Sequence, residues 1–217
     1  MVYRGVGEPP FWARRPGFST LIRIILEQQV SLTSAQATFR RLAVHLGGVN
    51  ALSIAALRVD GLRRLGLTRQ KAAYCHGLAQ RVLDGSLDLG SVARGPDVAG
   101  RSALAAVPGL GPWSIDIYYL MALRRPDVWP QGDLALASAL REIKRLRAHP
   151  SDTRQQLIAN SWSPWRSIAA RMLWAYYLAG RSALRPTAEQ ERVTRAGADP
   201  HQGELVRVAA SQRRRLI

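Results

Sequence analysis

Apolar residues recur three and four positions apart along nearly the whole of this chain. An early stretch places four of them on one helical face: Leu21, Ile22, Ile25 and Leu26. Apolar and polar residues nowhere alternate convincingly, as they would along a half-buried strand. The spacing therefore predicts an all-α fold.

Capping residues and glycines set the expected helix boundaries. Ser31 or Thr33 is placed to begin a second helix that ends at Gly47, and Thr68 to begin one that ends near Gly85. Residues 85–100 are rich in turn formers and are predicted as a loop. Further helices are expected over residues 101–107, 113–123, 134–147 and 164–180. Residues 181–217 are polar and end in three arginines, so they are predicted to form a basic tail.

The charge balance indicates a polyanionic partner. The chain has 31 Lys and Arg against 15 Asp and Glu, a formal net charge of +16. All but Lys71 and Lys144 of these basic residues are arginine, which suits phosphate recognition but is equally explained by genomic base composition. A length of 217 residues with 47% hydrophobic content excludes a wholly disordered polymer.

Cysteine and histidine usage limits the possible cofactors. Cys75 is the single cysteine, so neither a disulfide framework nor a cysteine-ligated zinc or iron–sulfur site can be built within one chain. The histidines lack metal-ligand spacing, and we expect no divalent metal and no organic cofactor. No stretch has the length and apolarity of a membrane-spanning helix. We therefore expect a soluble cytoplasmic protein with no membrane partner.

The hexapeptide VPGLGP at residues 107–112 interrupts the helical pattern. Pro112 suits the first position of the following helix, where a missing N–H costs nothing. Gly109 and Gly111 allow positive φ, which turns successive amides outward so that they can bind a phosphate of a nucleic-acid backbone. A plain turn between two helices is the alternative.

Four ordered motifs indicate a family. The hairpin is followed, twenty residues after Trp113, by Asp133, and it is flanked by residues 24–31 (IILEQQVS), 66–72 (GLTRQKA) and 162–166 (WSPWR), the last leading to Trp174. Together they resemble the helix-hairpin-helix (HhH-GPD) DNA glycosylase superfamily, in particular its 3-methyladenine DNA glycosylase II branch. The resemblance covers residues 11–180. It implies two helical lobes with an active-site cleft between them. The best-known relatives also carry an N-terminal β domain, which we expect to be missing here because only ten residues precede Phe11.

The resemblance also assigns the chemistry. It makes Asp133 the catalytic carboxylate, although by residue type alone Asp133 reads as a helix N-cap, and Asp116 is the nearest rival. Trp113 stands where bifunctional relatives carry a Schiff-base lysine, so a monofunctional hydrolysis is implied. Trp113 and Trp174 match pocket tryptophans that would stack on a cationic alkylated base, with simple core packing as the alternative.

Other implied site residues concern the pocket rim and the DNA. Ile117 and Leu134 replace tyrosines found near the pocket in relatives, so we expect both to line the substrate pocket. Gln28 and Gln29 match the region that contacts DNA, with Gln29 at the wedge position that fills the gap left by a flipped base, unless it is merely solvated. Hairpin carbonyls in this superfamily often bind a monovalent cation.

The sequence thus predicts a monofunctional glycosylase. Its expected substrates are 3-methyladenine, 7-methylguanine and related alkylated bases in double-stranded DNA, flipped out by a monomeric enzyme. The first alternative is a non-catalytic hairpin protein that recognises distorted duplex DNA, which would have no need of Asp133. A bifunctional glycosylase/lyase is the second, and the missing lysine argues against it.

Overall fold

A computed structural model describes residues 7–183, with side chains described as far as residue 180. These residues contain no β-strand, and the all-α prediction is confirmed. The helices are α1 (Phe18–Glu27), α2 (Leu32–Leu46), α3 (Ala51–Arg64), α4 (Arg69–Leu83), α5 (Leu89–Arg94), α6 (Asp97–Ala105), α7 (Pro112–Ile117), α8 (Leu134–Ile143), α9 (Asp152–Asn160) and α10 (Arg166–Ala183). A π-helical turn, Tyr118–Ala122, continues α7.

Several predicted helix boundaries are confirmed. Ser31 and Thr68 accept hydrogen bonds from the backbone amides of the third residues of α2 and α4, as N-caps do. Gly47 ends α2 in the left-handed conformation, and Pro112 is the first residue of α7. Asp133 caps α8.

The predicted loop at residues 85–100 is wrong, because α5 and the start of α6 lie there. Gly90 and Gly100 are helical instead of marking turns. A Cβ at residue 100 would collide with the Tyr119 hydroxyl, so this glycine serves close packing. Two other boundaries also differ: α8 ends at Ile143 and α10 begins at Arg166.

Helix α1 forms the centre of the core. Leu21, Ile22, Ile24 and Ile25 are fully buried, so nearly every side of this helix is covered. It packs against α2, α4, α7 and the π-helical turn. The two residues that follow α1, Gln28 and Gln29, are therefore attached directly to a helix of the core.

The segment before α1 is tied to the π-helical turn. The Gly17 amide donates to the Tyr118 hydroxyl at 2.9 Å, and the Arg14 amide donates to the Met121 carbonyl at 3.0 Å. The Arg14 guanidinium also forms a bidentate pair with Glu27 at the end of α1, at 2.9 and 3.0 Å. Residues 11–17 are thus fixed across the core although they form no helix.

The described residues up to Tyr177 form one compact unit. The predicted division of residues 11–180 into two lobes stays a prediction, and the predicted tail lies outside the described residues from residue 184 onward. Within the described part of the chain, no single helix is long and apolar enough to span a membrane. Helices α2 and α3 are together long and apolar enough, but the chain bends by 108° between them.

Candidate active site

Asp133 lies at the N-terminus of α8, where its carboxylate caps the helix. Its Oδ1 accepts a hydrogen bond from the Leu136 amide at 2.9 Å, and the residue is 8% exposed. The positive end of the helix dipole favours a negative charge at this position. Capping and a chemical role are therefore compatible, because the cap uses one carboxylate oxygen and leaves the charge in place.

Two tryptophans hold the same carboxylate. Trp113 Nε1 donates to Asp133 Oδ2 at 2.9 Å, and Trp174 Nε1 donates to Oδ1 at 3.2 Å. The described residues form no ion pair with Asp133. Three neutral N–H donors thus orient a buried charge without neutralising it, which is the arrangement needed to stabilise a developing positive charge.

The elements that carry this site are far apart in sequence. Trp113 is the second residue of α7, and Trp174 lies on α10 among buried neighbours. A third tryptophan, Trp12, stands edge-on to Trp174 with ring centroids 6.2 Å apart. The predicted residues Asp133, Trp113 and Trp174 are therefore brought together, although their contact is through indole N–H groups rather than through stacked rings.

Asp116 is held in a different way. Its Oδ1 accepts from Arg101 at 2.7 Å and its Oδ2 accepts from the Gln131 amide at 3.1 Å. The residue is 7% exposed and borders a polar cavity of about 210 Å³, which is also lined by Asp127 and its partner Arg166. An arginine already neutralises this carboxylate, so it is a poor rival to Asp133.

Ile117 and Leu134 do not share the predicted environment. Ile117 is 2% exposed and belongs to the apolar core, so the structure does not bear out its expected place in a pocket. Ile117 is the last residue of α7, and the helix end is buried together with the first residues of the π-helical turn that follows. Leu134, next to Asp133, is 81% exposed and available to a ligand.

The two hairpin glycines differ from each other. Gly109 has φ of 92°, and a Cβ there would collide with the Tyr74 ring on α4, so glycine is required for both backbone and packing reasons. Gly111 has an ordinary φ of −80°, so it does not use the positive φ that glycine allows. A Cβ at Gly111 would meet nothing within 4 Å, and the residue is exposed.

Gln28 links the hairpin to the core. Its Nε2 donates to the Gly109 carbonyl at 2.7 Å and to Ser114 Oγ at 2.8 Å. Both amide hydrogens of Gln28 are therefore used within the protein, while the residue is half-buried, and its predicted contact with DNA stays a prediction. Gln29 is exposed and adopts a left-handed conformation with φ of 56°.

Other reactive groups do not enlarge the site. Burial raises the pKa of the Cys75 thiol to about 12, so it stays protonated and unreactive. Within residues 7–183, no three His, Cys, Asp or Glu side chains are grouped as metal ligands would be.

A family model matches residues 22–167, two thirds of the chain, and its description is HhH-GPD superfamily base excision DNA repair protein. The chain belongs to the HhH-GPD superfamily. The matched segment contains the hairpin, Trp113 and Asp133, and it ends before Trp174 on α10. Most residues of the candidate site therefore lie within the segment that matches the superfamily.

Curated relatives within the superfamily carry alkylated-base names. DNA-3-methyladenine glycosylase 1 of Schizosaccharomyces pombe is 25% identical over 167 residues, which covers 74% of this chain and 72% of that protein. DNA-3-methyladenine glycosylase 2 of Escherichia coli is 26% identical over 176 residues, covering 74% of this chain and 59% of that protein. The chain also spans 58% of a Bacillus subtilis relative, so it matches only part of several relatives.

Solved structures agree on the fold. A Schizosaccharomyces pombe 3-methyladenine DNA glycosylase in complex with abasic DNA matches with a TM-score of 0.74 at 22% identity, covering 80% of this chain and 87% of that one. A 3-methyladenine DNA glycosylase from Archaeoglobus fulgidus matches with a TM-score of 0.64 at 20% identity, covering 74% and 57%. The helix-hairpin-helix glycosylase fold is thus confirmed.

Two residues near the site were missed from the sequence. Trp12 lies in the non-helical segment before α1, where no periodicity marks buried positions. Lys71 donates to two carbonyls at the end of α1. The sequence did contain an indication that Lys71 is special. Nearly every basic residue of this chain is arginine, yet the motif at residues 66–72 contains a lysine.

Proposed function

We propose that this chain is a monofunctional DNA glycosylase of base excision repair, which hydrolyses the N-glycosidic bond of alkylated bases in double-stranded DNA. The proposed substrates are 3-methyladenine, 7-methylguanine and related lesions. The observation that carries the proposal is the carboxylate of Asp133, which is held by the indole N–H groups of Trp113 and Trp174 and has no cationic partner among the described residues. The superfamily and its alkylated-base relatives support the substrate class.

The proposed chemistry uses the charge of Asp133. As the base leaves, positive charge builds on the deoxyribose, and a fixed carboxylate beneath C1′ stabilises that oxocarbenium-like state. Two unit charges ~4 Å apart gain ~4 kcal/mol at an effective dielectric constant of ~20, which corresponds to ~10³ in rate. The carboxylate also orients a water molecule that attacks C1′, and the product is an abasic site.

The environment of the lysines supports hydrolysis by water. A lyase reaction needs a lysine amine that forms an imine with the sugar. Trp113 stands at the position that the motif gives to such a lysine, and its indole N–H is engaged with Asp133. Lys71 Nζ donates to the carbonyls of Leu26 and Gln28, so its amine is committed elsewhere.

We propose that the flipped base binds beside the two tryptophans. An alkylated purine carries positive charge, which favours contact with electron-rich indole faces. The indole edges are held by Asp133, so the rings have fixed orientations before substrate arrives. Leu134 is exposed next to Asp133 and offers an aliphatic surface that forms no hydrogen bonds, so we expect the site to accept cationic lesions of differing shape.

In the proposed complex with DNA, the hairpin binds the phosphate backbone, and Gln29 fills the gap that the flipped base leaves in the duplex. The exposed backbone at Gly111 leaves room for close approach of a phosphate, and the net charge of +16 supplies the long-range attraction. Gln29 projects from a turn at the end of α1 and fits the wedge role. The protein is proposed to act as a monomer.

A monovalent cation at the hairpin is part of the proposal. The carbonyl oxygens of Val107 and Gly109 accept hydrogen bonds from the Leu110 amide and from Gln28, and each keeps a second lone pair. These oxygens therefore suit a weakly bound K⁺ or Na⁺, which would supply positive charge for a phosphate. Exchange of K⁺ for tetramethylammonium at constant ionic strength should weaken duplex binding.

The decisive experiment measures base release from methylated DNA. The full chain, in excess over duplex DNA treated with a methylating agent, should release 3-methyladenine and 7-methylguanine that chromatography identifies. Borohydride should trap no covalent adduct, because no imine forms. Tight binding of abasic DNA without release of any base would instead establish the non-catalytic DNA-binding alternative.

A further inference from the structure

The motif at residues 66–72 has no role in the site described so far, yet its lysine reaches the turn that carries Gln29. Thr68 caps α4, which places Lys71 on the first turn of that helix. Lys71 Nζ donates to the carbonyl oxygens of Leu26 and Gln28, each at 2.7 Å. These carbonyls belong to the last turn and the C-cap of α1, where a helix has no further amides to satisfy them.

The charge of Lys71 suits this position. A cation at the C-terminus of a helix interacts favourably with the helix dipole. The residue is half-buried, and burial lowers the pKa of its ammonium group. A half-buried amine with two carbonyl partners is therefore held in place and is not a freely solvated surface charge.

Gln28 is held by hydrogen bonds within the protein, whereas its neighbour Gln29 is exposed. The Gln28 side chain is fixed to the hairpin at Gly109 and Ser114, and its carbonyl is fixed by Lys71. Gln29 follows directly, exposed and with φ of 56°, which is unfavourable for a residue with a Cβ. Such a conformation persists when its surroundings determine it.

The far end of the same turn is also held. Ser31 caps α2 by accepting from the Ser34 amide at 3.2 Å. Three positions after Lys71, Tyr74 lies against Gly109 of the hairpin. Helix α4 thus contacts both the turn that carries Gln29 and the hairpin that is proposed to bind a phosphate.

We propose that Lys71 is a positioning residue that holds Gln29 in its left-handed, projecting conformation, so that Gln29 inserts into DNA in register with the phosphate on the hairpin. This inference rests on the proposed function, in which Gln29 is the wedge. Lys71 does not touch the DNA or the reacting atoms. Its effect on base flipping passes entirely through Gln29.

The test is a double-mutant cycle with an optical readout of insertion. A duplex that carries 2-aminopurine beside a stable abasic-site analogue is saturated with protein, and the fluorescence gained on insertion is measured. Lys71→Met should lose about as much of this signal as Gln29→Ala. Adding Lys71→Met to Gln29→Ala should cause little further loss, because one residue acts through the other.

Two further variants separate positioning from general destabilisation. Lys71→Arg keeps the charge and its donors and should restore most of the signal. Lys144→Met removes the only other lysine, which is exposed at the end of α8, and should leave the signal intact. Melting temperatures of all variants show whether any loss follows stability instead. The inference would be overturned if Lys71→Met lowered the fluorescence signal equally in the parent chain and in the Gln29→Ala variant. A full fluorescence signal in Lys71→Met would overturn it as well.

Base release provides the second arm. Lys71→Met should slow single-turnover release from duplex DNA by roughly tenfold to hundredfold, as misplacement of a positioned group does. The fluorescence signal needs no catalysis, so the two proposals fail separately. Insertion that depends on Lys71 without any base release overturns the enzymatic function alone, whereas release with no Lys71-dependent insertion overturns the positioning role alone.

Discussion

Asp133 and Asp116 are almost equally buried, but their surroundings are opposite. Asp133 is hydrogen-bonded to two indole N–H groups and one backbone amide, whereas Asp116 is paired with the Arg101 guanidinium. A buried carboxylate can stabilise a reacting cation only if its charge has not been neutralised already. Burial therefore identifies both residues as unusual, and the type of donor separates the candidate catalytic carboxylate from the structural one.

The largest expected effect is that of removing the charge of Asp133. Asp133→Asn should lower single-turnover base release by ~10³ or more, because the positive charge on the sugar loses its partner. Asparagine is also a good N-cap, so the variant should fold and bind abasic DNA much as the parent chain does. If Asp116→Asn abolishes release while Asp133→Asn is active, the two assignments must be exchanged.

The indole N–H donors should come next. Trp113→Phe or Trp174→Phe removes one of three hydrogen bonds that orient the Asp133 carboxylate, and we expect base release to fall roughly tenfold to hundredfold. Trp129→Phe is the matched control, because Trp129 is buried and its Nε1 has no hydrogen-bond partner among the described residues. An equal fall in Trp129→Phe would show that general loss of aromatic packing is responsible.

Asp116→Asn should act on stability and leave catalysis alone. The change removes the charge that pairs with Arg101 and should cost roughly 1 to 3 kcal/mol of unfolding free energy, measured by chemical denaturation. Base release per folded molecule should be unchanged. The opposite pattern, intact stability with slower release, would place the polar cavity in the catalytic machinery.

The smallest expected effect is on the free energy of unfolding at acidic pH, to which the ion pair of Asp127 and Arg166 contributes. Hydrogen bonds from Arg166 lower the pKa of Asp127 to about 2, against 3.8 for an unperturbed group. As pH falls between these values, the carboxyl binds a proton more readily in the unfolded chain, so this contribution to stability is present above 3.8 and is lost toward 2. Asp127→Asn should flatten the fall in unfolding free energy in that pH range. An unchanged slope would refute the contribution of this pair.

The sequence was a good guide to the local parts of this site. Asp133 could be recognised both as a cap and as the motif carboxylate, because each reading depends on its neighbours in the chain. Its contact with Trp174 depends on how α10 packs against α7 and α8, and sequence spacing carries no information about that. The roles of Trp12 and Lys71 depend on packing in the same way.

The errors have definable physical causes. Glycine and proline in residues 85–100 suggested turns, but Gly100 allows α6 to pack against Tyr119, and Pro96 stands just before α6 begins. Ile117 was placed in the pocket because the resemblance matches it to a tyrosine near the pocket of relatives. Ile117 and the two tyrosines after it, which begin the π-helical turn Tyr118–Ala122, are all buried, and a match of position in the chain does not show which side chains face the core.

The ring contact between Trp12 and Trp174, together with the bond from Trp174 to Asp133, has a consequence for biosynthesis. A nascent chain releases Trp12 early and Trp174 close to the end of the compact unit, so these contacts cannot form while α10 is still inside the ribosome. Contacts over such long sequence separations slow folding and form late. We therefore expect ribosome-bound chains that end before residue 174 to expose the unfilled apolar surface on which α10 packs, and to depend on chaperones until synthesis passes that point.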